Sequence, residues 1–426
     1  MAWLHQTPPM ADTRGSTDWR VVAFLASVGI SVAYGIDASL PAFDEMRPDV
    51  GLPLGSNRIT LAITVYFLGM AGGQIVYGPI SDRFGRMAPL RAGMALYAAG
   101  AAGSMLATDF GFLLASRTVW GLGASAGSLM NLAILRDLYA GDRMARTMST
   151  VSAVFLVGPV VTPLVAEGIL RTASWRWVYA LGLVLAMVIT AWTTRFGETL
   201  APEDRRPLQA GPPLDAFRRV VTCRRTVLYA TTLLFVDGAF LVFLGSTHQV
   251  FEMVYDRADQ FAVLFAASAV PFAAAFMLVN PAIGRWGAHR VGLSVLTSAI
   301  LLGGVLLGLT LAADGVPGFW TWFTFQVVGN MFLALVTPVA LSLALEPMGE
   351  LAGTASGILG LSSISAASLL AALVGMQLGT TTTPWAGGFV VYATIGLGLL
   401  VAAGRTPEPD PGPRSAPTSV VRHQPP

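Results

Sequence analysis

Apolar residues along this chain come in long uninterrupted runs, without the short alternations of a water-soluble fold. About 20 helical residues, rising 1.5 Å each, cross about 30 Å of hydrocarbon. Twelve segments qualify: roughly Val21 to Pro41, Ile59 to Ile80, Leu90 to Thr108, Gly111 to Leu138, Met148 to Leu170, Trp177 to Thr194, Val227 to Thr247, Phe261 to Ile283, Val291 to Ala312, Phe319 to Leu345, Ala352 to Gly375 and Ala386 to Gly404. A segment without water must satisfy its own backbone, so each is predicted to be an α-helix. The chain is thus expected to be an all-α integral membrane protein. Val21 onward is expected to be a retained first helix, because further apolar spans follow it directly where a cleaved leader would give way to a soluble domain.

Polar segments between the runs set the organisation. Gly78 to Arg86 reads GPISDRFGR, a tight charged turn after the second span, and Pro281 to Gly287, PAIGRWG, repeats its core after the eighth. The repeat keeps the proline, an arginine (Arg285 against Arg83), an aromatic and the glycine, and puts Gly284 where the first copy has Asp82. The longest hydrophilic connection, Arg195 to Arg225, divides the spans six and six. Two pseudo-symmetric six-helix bundles follow, residues 21–194 and 226–404, joined by a cytoplasmic linker at 195–225 whose arginines suit anionic lipid headgroups. Residues 1–20 form a polar tail, and 405–426, rich in proline and serine, are expected to be disordered.

Arginine placement gives an orientation, since cationic loops stay cytoplasmic. With the N-terminus inside, only Arg47, Arg58, Arg171, Arg176 and Arg257 fall outside, and Arg117 lies within a span; the other arginines are all inside. Both termini are expected in the cytoplasm of a multi-pass inner or plasma-membrane protein.

Composition agrees: 54% hydrophobic, 12% charged and a mean hydropathy of +0.64. A net charge of +2 does not point to nucleic acid, and the single cysteine, Cys223, excludes an internal disulfide or a CxxC pair. Four scattered histidines offer no metal cluster, and the chain has no lysine and hence no ATP-binding Walker loop. Neither enzyme motif nor cofactor is expected.

Ionisable residues inside the spans are the functional candidates, because they are costly there. Asp37, about 6 Å from the outer end of the first helix, and Arg117, about 9 Å from the outer end of the fourth, sit at similar depth. They are read either as a proton-exchanging pair or as a static ion pair. Asp237, near the middle of the seventh span, is read either as a second proton or cation site or as an acid hydrogen-bonded within the bundle. Gln326 and Asn330, one turn apart in the tenth span, share a face and are candidate cavity residues, with Tyr34, Trp120, Phe235 and Phe240 as candidate aromatic walls. Gly69 with Gly73, and Gly123 with Gly127, are GxxxG pairs expected to let helices pack closely. In the charged turn Gly85 permits the bend, Asp82 can accept from an arginine or a helix N-terminus, and Arg83 and Arg86 can reach Asp137. Pro159 and Pro163 weaken one face of the fifth helix, and Glu167 is expected at its outer surface.

These motifs carry a resemblance. GxxxDRxGR resembles the signature loop between the second and third helices of major facilitator superfamily transporters. Leu114 to Gly127, LASRTVWGLGASAG, resembles the fourth-helix arginine motif of drug/proton antiporters, with Trp120 where glutamine is usual. Asp37, Leu40 and Pro41 match the DxxLP element of the Bcr/CflA subfamily, as does Ile134 to Tyr139, ILRDLY, with Arg136 and Asp137. Phe155 to Pro163, FLVGPVVTP, resembles the fifth-helix antiporter motif built on Gly158 and Pro159, with Thr162 and Pro163 in place of two small residues. The resemblance, closest to chloramphenicol and florfenicol exporters, implies a proton-coupled drug antiporter for a small amphipathic, phenicol-like substrate, working as a monomer. It also implies that the Asp82, Arg83, Gly85, Arg86, Arg136 and Asp137 loop holds the cytoplasmic side shut. Proton-coupled uptake of a metabolite and a non-transporting scaffold or sensor are the alternatives.

Overall fold

A computed structural model describes residues 19–139, 147, 151, 158–205 and 211–406. The expected N-terminal tail before Trp19, the start of the fifth span with Phe155, linker residues 206–210 and the tail from 407 lie outside the described residues. So do the loop arginines Arg143 and Arg146.

The described chain is helical, with no strand. Its helices are α1 (Trp19–Asp37), α2 (Phe43–Asp49), α3 (Leu61–Phe84), α4 (Met87–Met105), α5 (Phe110–Leu138), α6 (Gly158–Leu170) and α7 (Arg176–Phe196). They continue as α8 (Gly211–Thr222), α9 (Arg224–Gln249), α10 (Phe261–Trp286), α11 (Ala288–Ala312), α12 (Phe319–Leu345), α13 (Ala352–Gly375) and α14 (Thr383–Gly404). Among the described residues nine helical stretches are long and apolar enough to cross a membrane. The other three expected spans correspond to α4, α6 and α10. α4 has the length, but alanine, glycine and Arg91 dilute its apolarity.

Two features differ from the sequence reading. The first span does not end in a loop at Pro41: a 3-10 turn over Leu40–Ala42, with the proline at its start, leads straight into α2. The linker, for which no helix was expected, contains α8, because Val220 can be buried (5% exposed) against α9 and α13 while Arg218 and Arg219 face out.

Helices before and after α8 pack mainly among themselves: α3 and α4 on α5, α4 on α7, α9 on α12, α13 and α14, and α11 on α12 and α14. Across the two sets, α3 meets α13 and α6 meets α10. Successive spans alternate in direction, so the bundle has an end near Trp19 and Gly404, the terminal end, and an opposite end near Asp37 and Arg47. Large apolar side chains such as Val188, Val270, Leu301 and Leu373 are exposed on the flanks, a surface that only lipid can cover. Exposed Trp19 and Trp286 sit toward the terminal end and Trp177 and Trp320 toward the other, matching the two aromatic belts of a spanning protein.

The expected close approaches are present. A Cβ on Gly69 would lie 2.1 Å from the Thr118 carbonyl oxygen, and one on Gly73 1.9 Å from the Ser125 hydroxyl. Gly121 meets the Tyr66 carbonyl and Gly123 the Tyr97 amide in the same way. α3, α4 and α5 therefore touch backbone to backbone, which larger residues would prevent.

Candidate functional site

α1 is tethered from its neighbours through its backbone carbonyls. Tyr97 of α4 donates to Ser31 O (2.6 Å), Tyr66 of α3 to Val32 O (3.1 Å) and Asn131 of α5 to Leu25 O (3.1 Å). Tyr34 of α1 is buried and donates to Val178 O of α7 at 2.7 Å. The last carbonyls of a helix lack intrahelical donors. Arg117 supplies one: its Nη1 lies 2.7 Å from Gly35 O, and its Nε 3.1 Å from Ala62 O at the start of α3. The guanidinium is fully buried between the rings of Tyr66 (4.8 Å) and Trp120 (5.1 Å), and its Nη2 has no partner among the described residues.

Asp37 ends α1 two residues beyond Gly35. It is 2% exposed, and its Oδ1 has no partner among the described residues. The direct ion pair with Arg117 that the sequence left open is not formed among the described residues; the guanidinium bonds two backbone carbonyls through Nε and Nη1 instead. Asp37, Arg117, Tyr34 and Trp120 thus belong to one buried region of the first helix set, together with Tyr66, Tyr97 and Tyr179. These three tyrosines were not singled out in the sequence, where a tyrosine in an apolar span reads as packing.

The other candidates lie among α9 to α14. Asp237 accepts from the hydroxyls of Thr337 on α12 (2.8 Å) and Ser363 on α13, so three helices meet on one carboxylate. Gln326 and Asn330 are buried, the Asn330 amide donating to Gln326 O at 2.8 Å. The Gln326 side-chain amide and Asn330 Oδ1 find no partner among the described residues. Phe235 packs on Tyr392, and Phe240 on Phe243 and Phe272, as core rings.

At the terminal end, Arg86 is the hub. It bonds Asp137 of α5 (Nε to Oδ2, 2.8 Å), Asp82 of α3 (2.8 Å) and the Ser81 hydroxyl (3.0 Å). Burial works against its charge, but the Asp137 and Asp82 carboxylates outweigh that and hold its pKa above the ordinary arginine value. Glu198, unremarked in the sequence, accepts from the amides of Arg86 (2.7 Å) and Met87 (3.2 Å) and so caps α4. Thr199 adds a bond to Asp137 (3.1 Å). Arg83 lies over the Phe84 ring, and Arg136 is exposed; neither reaches Asp137. Gly85 and Gly287, the matched glycines of the repeat, end α3 and α10 with φ of 87° and 82°. Glu198 fills the space at Gly85, and nothing lies within 4 Å at Gly287, so among the described residues the capped latch exists in one copy only. Gly158 of α6 is buried against Ala33 of α1; Pro159 follows it in the same helix.

At the opposite end the two helix sets are tied together. Buried Arg47 of α2 pairs with Asp44 and, across the sets, with Glu252 (Nη1 to Oε1 2.7 Å, Nη2 to Oε2 3.3 Å). Gln249 of α9 donates to Asn57 Oδ1 at 2.7 Å. A π-helical turn over Val250–Val254 aims Glu252 at Arg47. Between α3, α9 and α13 lies a cavity of about 20 Å³, lined by Thr60, Ile63, Ser246 and Ser368 among others. This end is closed, and no apolar periodicity announced its cross-set pairs.

A bundle of lipid-facing spans with buried polar groups and a tie across one end is the architecture of a polytopic membrane transporter. The chain matches the Major Facilitator Superfamily over residues 21–363, and it belongs to that family. It is 27% identical over 389 residues to the uncharacterized MFS-type transporter YdgK of Bacillus subtilis, covering 90% of this chain and 94% of that one. It is 27% identical to a bicyclomycin resistance protein homolog of Haemophilus influenzae (82% and 87% covered) and 28% identical to a chloramphenicol resistance protein of Pseudomonas aeruginosa (79% of each). In structure it superposes on a D-xylose-proton symporter with a TM-score of 0.69 at 15% identity, covering 92% and 99%, a likeness of fold alone. The resemblance read from the motifs and the expected fold are borne out, and the chain is a non-enzymatic transport protein.

Proposed function

We propose that the chain exports small amphipathic drugs in exchange for protons, with phenicol-type antibiotics among its substrates. The observation that carries the reading is Asp37: a buried carboxylate with an unfilled hydrogen-bonding position, at the end of a helix whose neighbouring carbonyl is clamped by Arg117. An ionisable group in that setting can hold and release a proton while Arg117 keeps α1 in place. The relatives named for bicyclomycin and chloramphenicol resistance support the substrate class.

In this reading the helices before and after the linker form two bodies that rock about the buried region. Arginine asymmetry puts the terminal end and both termini in the cytoplasm. The Arg47–Glu252 and Gln249–Asn57 ties close the outer side, and Arg86 with Asp137, Asp82 and Glu198 stiffens the cytoplasmic side. Asp237, Gln326 and Asn330 belong to the second body, the last two as cavity groups. The carrier works as a monomer.

The test is a drug-susceptible host expressing wild type or Asp37→Asn, challenged with a panel that includes phenicols, with and without a proton uncoupler. Everted vesicles give the direction of flux. Wild type should confer resistance that the substitution and the uncoupler each abolish. Resistance surviving both, or drug uptake coupled to proton entry into the cell, sinks the proposal.

A further inference from the structure

α9 begins at Arg224 and α14 ends at Gly404, and between these two helix ends lies a cavity of about 470 Å³. That volume is in the range of small-molecule sites. Its lining among the described residues is Thr222, Cys223, Arg224, Arg225, Ala402, Arg405 and Thr406: three arginines and no acid. Arg225 is anchored outside the cavity's own lining, by Glu346 on its Nη2 at 3.0 Å and by the Tyr229 ring 6.0 Å away. Arg224 and Arg405 are exposed and pair with no acid among the described residues. Such a concentration of one sign of charge calls for an anion.

The cavity's position says which anion. Because spanning helices start and stop there, it sits at the boundary between lipid and water. α8, which leads directly into it, leaves Phe217 and Val221 51% and 50% exposed one turn apart, beside exposed Arg218 and Arg219. An apolar pair flanked by arginines is the pattern of a helix lying in the headgroup layer. Its buried Val220 fixes it against α9 and α13, so its apolar pair and the arginine cavity address the same leaflet.

We propose that this cavity receives the phosphate of an anionic phospholipid headgroup, held by Arg224, Arg225 and Arg405, while Phe217 and Val221 enter the acyl region of that leaflet. The site is separate from the buried Asp37 region and does not depend on what is transported. Removing two of the arginines removes most of the attraction, at about fivefold each.

The chain supplies its own reporter, since Cys223 is its single cysteine and lines the cavity half-buried. The full chain is placed in nanodiscs of phosphatidylcholine, with or without phosphatidylglycerol, and the rate of maleimide alkylation at Cys223 is measured. In wild type, phosphatidylglycerol should slow alkylation by about fivefold or more, and in Arg224→Gln/Arg405→Gln the slowing should vanish. Should that pair not assemble, Arg405→Gln alone, beyond the end of α14, should reduce the slowing. Slowing of equal size in the variants marks a general surface-charge effect and overturns the proposal. Inorganic phosphate giving the same protection in phosphatidylcholine discs assigns the cavity to a free anion and overturns the lipid assignment.

Discussion

Arg117 places its Nη1 2.7 Å from the carbonyl oxygen of Gly35, leaving the carboxylate of Asp37, two residues on, without that guanidinium. In the proposed antiport, a fixed cation on the helix end and an acid beside it with an unfilled oxygen separate two tasks, holding α1 and exchanging a proton. A direct ion pair would merge them.

Arg117→Lys should therefore fail despite keeping the charge. A lysine is a point donor and cannot reproduce the two-carbonyl fork on Gly35 and Ala62 stacked between aromatic rings. Losing a charged hydrogen bond costs about 1.5–3 kcal/mol, so the thermal midpoint of the purified protein should fall and drug efflux should be lost. Retention of both would show that the clamp is dispensable.

Asp37→Asn should fold normally, since asparagine has the same shape and Oδ1 has no partner among the described residues to lose. Drug binding to the purified variant should persist, and its proton release on drug addition, read with a pH dye, should disappear. Undiminished release would place the exchanging group elsewhere, with Asp237 the next to replace.

Glu252→Gln weakens the tie to Arg47 while keeping its size. The closed end should open more often. In a Cys223→Ser background, a cysteine at Ser246, which lines the small cavity at this end and leaves the Gln249–Asn57 bond in place, should then be alkylated from outside several times faster, a tie weakened by about 1 kcal/mol corresponding to roughly fivefold. An unchanged rate would mean that Gln249 and packing hold this end without the ion pair.

Neighbouring glycines on α3 should respond in opposite senses. Gly69→Ala drives a methyl into the Thr118 carbonyl and should destabilise by about 1–3 kcal/mol. Gly72→Ala meets nothing within 4 Å and should be neutral or stabilising by about 0.5–1 kcal/mol, as alanine favours helix. Thermal midpoints of the two variants in one detergent decide it.

Glu198→Gln removes the charge that caps α4 and should lower stability by about 1 kcal/mol. The same change in the second half has no counterpart among the described residues, none of which lies within 4 Å of a Cβ at Gly287. Equal stability of wild type and variant would mean that the neutral amide caps as well.

Much of the fold was legible. Apolar runs marked the spans, the GPISDRFGR turn and its echo ended α3 and α10 as read, and Arg86 meets Asp137 as its spacing implied. α8 was not legible, since prolines and arginines read as loop until Val220 has a surface to bury against. Nor was the role of Arg47: in the sequence it is one of few arginines on its side, and only folding brings Glu252, 205 residues away, to within 2.7 Å.

The sequence by itself determined that this chain lives in a bilayer as a bundle of helices, because backbone groups in hydrocarbon permit little but helices. It also singled out Asp37 and Arg117, since charge within such a run is too costly to be incidental. What only the tertiary structure decided was the partnership: Arg117 with carbonyls and not with Asp37, Asp237 with two hydroxyls, and Arg47 with Glu252. Periodicity specifies which face of a helix is buried, whereas a hydrogen bond needs two atoms within about 3 Å, and that distance is set by how several helices pack together.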